Sequence, residues 1–196
     1  MKKNNYPEIV IVGKPNVGKS ALFNRLANNE RSLVHNSRGV TRDPKSDFCT
    51  WNGFTFKITD TAGISEDIIK EDKIAKKAIK LAEEILKNSN IGIIVFDSSE
   101  ELTNEDLNLL NFVKKNIKNY FIVANKSDKK SSEDNILFIE NLTNSKVIKI
   151  SAAHGKGIED IFEYIKNIFN PFSMRCRNFY NFLQRMEKGL KIFLNI

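Results

Sequence analysis

Eight consecutive residues, Gly13-Lys14-Pro15-Asn16-Val17-Gly18-Lys19-Ser20, narrow the fold of this chain more than any other stretch. They match the pattern GxxxxGK(S/T), and they stand between the β-branched run Glu8 to Val12 and a helical pattern carrying Leu22, Phe23, Leu26 and Ala27 on one side. Strand, glycine loop and helix in that order form an anion cradle. Two glycines let the backbone turn its N–H groups inward, and the helix that follows adds the partial positive charge of its N-terminus. Gly13, Asn16, Val17, Gly18, Lys19, Ser20 and Ala21 are therefore candidate phosphate-binding residues. Lys19 offers a mobile ammonium to the β- and γ-phosphates of a nucleoside triphosphate, and the Ser20 hydroxyl can ligate Mg²⁺.

The rest of the chain reads as an α/β alternation. Phe48 to Trp51 and Phe54 to Thr59 flank Asn52-Gly53, a dipeptide suited to a type I′ turn, and predict an antiparallel hairpin. Ile74, Ala78, Leu81 and Ile85 recur at helical spacing, and Ile91 to Phe96 reads as a strand buried on both faces. Thr103 with Asp106 three residues on predicts a capping box opening a helix that carries Leu107, Leu110 and Val113. Further on come a strand at Tyr120 to Ala124, a helix around Asn135 to Asn141 and a strand from Lys146 to Ile150. An amphipathic helix with Ile158, Ile161, Phe162, Ile165, Ile168 and Phe169 along one stripe ends the alternation. The expected fold is a doubly wound P-loop NTPase sheet of about six strands, mostly parallel, with one antiparallel hairpin strand. Asn170-Pro171 breaks the last helix, which sets the expected boundary between a nucleotide domain, 1–170, and a C-terminal tail or linker, 171–196.

A phosphate loop by itself leaves the base open. Asn125-Lys126-Ser127-Asp128, at the end of a buried strand, addresses it. Guanine presents two adjacent donors, N1–H and the exocyclic amine, to a single carboxylate, whereas adenine opposes a carboxylate with the lone pair at N1. Asp128 is thus expected to select guanine, because a site built for paired hydrogen bonds rejects a base that lacks them. Asn125 would brace loop and base, the Lys126 stem would cover the base plane, and Ser151-Ala152 would offer backbone N–H to the guanine O6.

Composition sets the remaining bounds. With 196 residues and 41% hydrophobic content, one domain plus a short appendage is expected. No apolar run of membrane-spanning or signal-peptide length occurs, so a cytoplasmic protein without a membrane partner is expected. Cys49 and Cys176 form no metal-ligand or CxxC pattern and read as packing or bystander thiols. The charged stretch Ser65 to Lys87 alternates acids and bases and reads as a solvated helix face. A formal net charge of +7 favours a polyanionic partner, RNA and not DNA being expected. The tail holds Arg175, Arg177, Arg185, Lys188 and Lys191 against the single acid Glu187, interleaved with Phe172, Phe179, Tyr180, Phe182 and Phe193. That mixture suits single-stranded nucleic acid, and equally an amphipathic helix packing on a neighbour.

With Thr41 and Asp60-Thr61-Ala62-Gly63 between the two clusters, the chain resembles the translation-factor-related small GTPases of the TrmE-Era-EngA-YihA-septin group. It is most similar to the first G domain of the bacterial Der (EngA) GTPases. The resemblance covers roughly 8–170 and rests on GKPNVGKSALFNRL, GVTRD, DTAGI, NKSD and SAAHGKGI. It implies that Thr41 closes over Mg²⁺ and the γ-phosphate, that Asp60 reaches the metal through water, and that the Gly63 amide senses the γ-phosphate. Lys19, Thr41 and Gly63 are then the catalytic set. Ile64 stands where many GTPases place a water-orienting glutamine, and in relatives with an apolar residue there an asparagine at the position of Asn16 helps hold K⁺. A slow, K⁺-stimulated GTPase acting as a switch in large-subunit ribosome biogenesis is what the resemblance implies, with GTP/GDP and a ribosomal subunit or RNA as partners.

Departures from the family leave alternatives open. Der proteins carry a second G domain and a KH-like domain, and KGLKIFLNI at Lys188 to Ile196 looks like the approach to that second domain, so a truncated or split form is expected. Ser37-Arg38 before Gly39 and DTAG in place of DTGG suit a tRNA-modification GTPase domain as well. A GTP/GDP-binding module with little hydrolysis, and an RNA-binding protein with a vestigial nucleotide site, are the other readings. His35 and His154 read as loop bystanders more readily than as proton shuttles.

Overall fold

β-branched and aromatic runs separated by amphipathic stretches of helical spacing can bury themselves only as a sheet with helices laid on its faces. The computed structural model describes residues 6–27, 45–61, 75–129 and 133–169, the side chains of 75–78 excepted. Their order is β1 (Glu8–Gly13), α1 (Lys19–Ala27), β2 (Lys45–Trp51), β3 (Phe54–Asp60), α2 (Ala75–Asn88), β4 (Ile91–Asp97), α3 (Asn104–Asn116), β5 (Tyr120–Asn125), α4 (Glu133–Thr143), β6 (Val147–Lys149) and α5 (Ile158–Phe169). By backbone proximity the chain divides into two compact units, Met1–Ile158 and Glu159–Ile196. The six strands, α1 to α4 and every site residue discussed below lie in the first. In the second, α5 buries Ile161, Phe162 and Ile165, three residues of its expected apolar stripe.

The sheet order is β2-β3-β1-β4-β5-β6, parallel throughout except for β2 against β3. The six strands and the single antiparallel hairpin match expectation. Asn52 and Gly53 have φ of 48° and 77°, the left-handed pair that a type I′ connection requires. In β1 and β4 the residues at both faces are buried. Val10, Val12, Ile94 and Phe96 join Leu86 of α2 and Leu109, Leu110 and Val113 of α3 in one core cluster, while α1 contacts β1, β2 and β3. Helices on both faces leave the C-terminal ends of the strands as the one edge of the sheet from which loops can converge on a ligand.

Two expectations shift. Leu81 is 40% exposed, and α2 turns Ala82 and Leu86 inward instead, with Ile85 partly buried beside them. The inward stripe is thus rotated by about one position, a distinction that tertiary packing makes and helical spacing does not. β6 is only three residues long, pairing with Ile122, Val123 and Ala124, shorter than the expected Lys146 to Ile150. Cys49 is buried in β2, and desolvation, helped by the charge of Asp47, pushes its thiol up to about 12, which makes it a packing residue.

The capping box forms as expected, with the Thr103 amide and hydroxyl both donating to Asp106 Oδ2 at 2.9 and 2.8 Å. An additional partner arrives from the phosphate loop, where Lys14 Nζ lies 2.7 Å from the same oxygen and 3.0 Å from Thr103 Oγ1. Both side chains of this ion pair are largely buried, 13% and 4% exposed. Asp106→Ala should therefore cost about 2 to 3 kcal/mol, a lost cap together with an ammonium left unpaired. Urea denaturation checks this, and a midpoint within error of the wild type would show that the tether carries no stability.

Candidate functional site

The expected site residues that the structure describes converge at the C-terminal ends of β1, β3, β5 and β6. Thr41, Ala62, Gly63, Ile64 and His35, the lower part of Ser65 to Lys87, and the whole of 171–196 lie outside the described residues. Gly13 ends β1 where only a hydrogen fits, since a Cβ there would stand 2.6 Å from the Val95 carbonyl and 2.9 Å from Val17 Cγ2. Asn16 and Gly18 take φ of 64° and 96°, so the loop makes two left-handed steps before α1 begins at Lys19. Lys19 is 4% exposed and donates to the Lys14 carbonyl at 2.6 Å, which folds its ammonium back across the loop. Asn16 and Ala21 are exposed.

Ser20, the second residue of α1, donates its hydroxyl to Asp60 Oδ2 at 2.9 Å. Asp60, at the end of β3, is 4% exposed, and its Oδ1 is buried with no hydrogen-bond partner among the described residues. A buried carboxylate oxygen without a donor is costly unless something external meets it. The adjoining Thr61 is locked to β1, its hydroxyl donating to the Ile11 carbonyl at 2.7 Å.

Base-loop and phosphate-loop residues are joined through Asn125. Its Nδ2 donates to the Val17 carbonyl at 2.9 Å, and its Oδ1 accepts the Ala152 amide at 2.9 Å. Asp128 is exposed, yet its orientation is set, because Ser151 donates its hydroxyl to Asp128 Oδ1 at 2.5 Å. That hydrogen bond is the main cause holding the Asp128 carboxyl below the usual carboxylate range, with smaller help from His154 and Lys129. Lys126 has φ of 63° and pairs through Nζ with Asp97 Oδ2 at the end of β4. Desolvation acts to raise the Asp97 carboxyl, but the Lys126 and Ser99 contacts outweigh it and the net shift is downward.

Ser151 and Ala152 are 0% and 1% exposed, and both backbone amides already have protein acceptors, Lys156 O at 3.0 Å and Asn125 Oδ1 at 2.9 Å. An O6 contact from the Ala152 amide would accordingly be shared with Asn125 Oδ1. Loop closure takes precedence, since a buried amide must be satisfied before any ligand arrives.

Sequence reading did not single out Arg25, Asp97 or the link between Lys14 and Asp106. Asp97 carried a signal, as it ends a buried strand and pairs in register with Asn125. Arg25 did not, because its partners, the carbonyls of Ala152 and Ala153, are more than a hundred residues away. His154 is closer to the site than a bystander would be, with Nδ1 3.0 Å from Ser151 Oγ.

Comparison with known proteins agrees with this geometry. Residues 8–126 match the family model described as 50S ribosome-binding GTPase. The chain is 36% identical over 170 residues to GTPase Der of Mycoplasmopsis pulmonis, covering 87% of this chain and 38% of that protein. It is 36% identical over 163 residues to GTPase Der of Thermosipho africanus, covering 83% and 37%. It therefore spans well under half the length of these relatives. Among solved structures, Era of Aquifex aeolicus bound to GDP and AlF4⁻ superposes with a TM-score of 0.63 at 25% identity, over 81% of this chain and 55% of that one. The G domain of the T. maritima FeoB iron transporter, at 24% identity and a TM-score of 0.61 over 96% of its chain, shares the fold. A phosphate loop, a buried carboxylate beside its serine and a braced NKSD loop on one sheet edge, together with the match over 8–126, show that the chain belongs to the 50S ribosome-binding GTPase family as a P-loop G domain.

Proposed function

We propose that the chain binds GTP and GDP in the pocket between 13–20 and Asn125 to Ala152 and hydrolyses GTP slowly, as a switch in assembly of the large ribosomal subunit. The observation that carries the reading is the Asn125 bridge, which ties the phosphate-shaped loop at the Val17 carbonyl to the Ala152 amide of the proposed base loop with 2.9 Å bonds on both sides. Gly13, Asn16, Val17, Gly18, Lys19, Ser20 and Ala21 would surround the phosphates, and Asn125, Lys126, Asp128, Ser151 and Ala152 the base. Lys19, Thr41 and Gly63 are the proposed catalytic residues, with Lys19 neutralising charge and the latter two closing on the γ-phosphate.

The residues present fit Mg²⁺, because the orphaned, buried Asp60 Oδ1 next to Ser20 suits a metal-bound water as its missing donor. Ser20 and Thr41 would hold the ion directly and Asp60 through water. Bound there, it would neutralise the charge spread over the phosphate oxygens. Lys19→Ala should weaken GTP binding about 100-fold or more, since charge-assisted bonds to two phosphates disappear. Calorimetric titration with magnesium reads this directly, and unchanged affinity would remove Lys19 from the site.

Asn16, exposed in the loop and left-handed, is proposed to help hold K⁺ against the phosphates in place of the glutamine that Ile64 replaces. Turnover on the order of 10⁻⁴ to 10⁻² per second is expected without an activator. Phosphate release should rise severalfold when Na⁺ is exchanged for K⁺. Equal rates in the two salts would rule out the potassium assignment, and tight binding with no release would favour a switch read by its partner without useful hydrolysis.

Residues 1–170 are proposed as the nucleotide domain and the basic aromatic segment 171–196 as the part that meets ribosomal RNA. No helix among the described residues is long and apolar enough to cross a membrane. A cytoplasmic setting is proposed on the family's ribosomal role.

A further inference from the structure

The Arg25 side chain reaches from α1 to the base loop with a fork of two donors. Nε donates to the Ala152 carbonyl at 2.8 Å and Nη2 to the Ala153 carbonyl at 2.6 Å. The next turn leaves it room, since Gly155 is left-handed at φ 72° and its ideal Cβ position is 3.8 Å from Arg25 Nη1. A guanidinium suits this because its two donors lie in one plane at fixed spacing and can meet two successive carbonyls, which a single ammonium cannot do.

Those two carbonyls belong to the segment whose other groups serve the base site. The Ala152 amide donates to Asn125 Oδ1, Asn125 Nδ2 donates to the Val17 carbonyl, and Ser151 holds Asp128. Val17 leads through Gly18 into α1, where Leu22 N donates to Gly18 O at 2.9 Å, and α1 carries Arg25. The path closes on itself: phosphate loop, Asn125, base loop, Arg25, helix, phosphate loop. Opening it at Arg25 leaves the phosphate loop with its own contacts and the Ala152 amide on Asn125, but releases the Ala152 and Ala153 carbonyls and so loosens the segment that, through Ser151, orients the carboxylate of Asp128.

We propose that Arg25 is a positioning residue for guanine, setting how long a guanine nucleotide stays bound without touching it. The inference rests on the nucleotide site proposed above and assigns a regulator of base dwell time within it. Because the clamp orders the base loop before ligand arrives, its loss should appear in dissociation more than in association.

The test uses the full chain with magnesium and GDP labelled on the ribose with N-methylanthraniloyl. Release rates are compared for wild type, Arg25→Ala and Arg25→Lys, alongside ADP affinity by competition and the thermal midpoint. Release from Arg25→Ala should be roughly 10- to 100-fold faster, the loss of two charge-assisted bonds to the loop. Arg25→Lys, able to meet one carbonyl, should fall between the two, and ADP affinity should stay as it was. A release rate measures only folded, loaded protein, so it is independent of how much of a variant folds. A lowered thermal midpoint with wild-type release in either variant overturns the proposal, as does an equal loss of ADP and GDP affinity. A wild type that fails to prefer GDP over ADP overturns the site reading itself, and is seen before any substitution is made.

Discussion

Replacing Asp128 with asparagine should reverse the base preference, lowering GDP affinity about 100-fold or more and making xanthosine diphosphate the better ligand. Guanine's N1–H and exocyclic amine need acceptors, and each charge-assisted bond is worth about 1.5 to 3 kcal/mol. An amide can accept from one and opposes the other with its own N–H₂, whereas xanthine carries a 2-oxo group that accepts that donor. The substitution is close to isosteric, and the Ser151 hydroxyl that now donates to Asp128 Oδ1 can donate to the amide oxygen as well, so the new side chain should stay oriented. Calorimetric titration of GDP and xanthosine diphosphate with magnesium decides the matter, and an unaltered preference would show that Asp128 does not read the base.

The same carboxyl has a pH signature. Because the Ser151 hydrogen bond lowers its pKa, Asp128 remains ionised above the lowered value and is neutralised only as pH falls through it. The preference for GDP over ADP, a ratio in which phosphate ionisation cancels, should hold level from neutral pH down to about pH 5, where Asp128 stays ionised and the adenine N1 stays unprotonated. Loss of the ratio at pH 5 would contradict an Asp128 held in this way.

Gly18→Ala is expected to damage both stability and the site. At φ 96° an L-residue is strained by about 1 to 2 kcal/mol, and the new Cβ would run into Asn125 Nδ2. Asn125 is 3% exposed and that nitrogen bonds Val17, so displacing it leaves buried donor and acceptor groups unsatisfied at a further cost of about 1 to 3 kcal/mol. Gly53→Ala isolates the backbone part, since Gly53 sits at φ 77° with nothing among the described residues within 4 Å of its ideal Cβ. Denaturation should show the first variant losing several kcal/mol and the second about 1 kcal/mol. GDP binding should be lost only in Gly18→Ala. Equal losses would mean that Gly18 is needed for its conformation and not for the space beside Asn125.

Much was determined by the sequence alone, and the reason is that the signals are local. The glycines and lysine of 13–20, the Asn52-Gly53 turn, the Thr103 and Asp106 box and the apolar runs at 91–96 and 120–124 encode their geometry within a few residues. The structure has each of them as a strand, turn or cap where expected. Tertiary structure decided whatever depends on partners far along the chain. It chose Ala82 over Leu81 for the core, committed the Ser151 and Ala152 amides to Lys156 and Asn125, joined Lys14 to Asp106, and brought Arg25 across more than a hundred residues to two carbonyls. Spacing along the chain reports which face a residue shares with its near neighbours. Only the packed sheet determines which distant donor meets which acceptor, because buried polar groups must all be satisfied together.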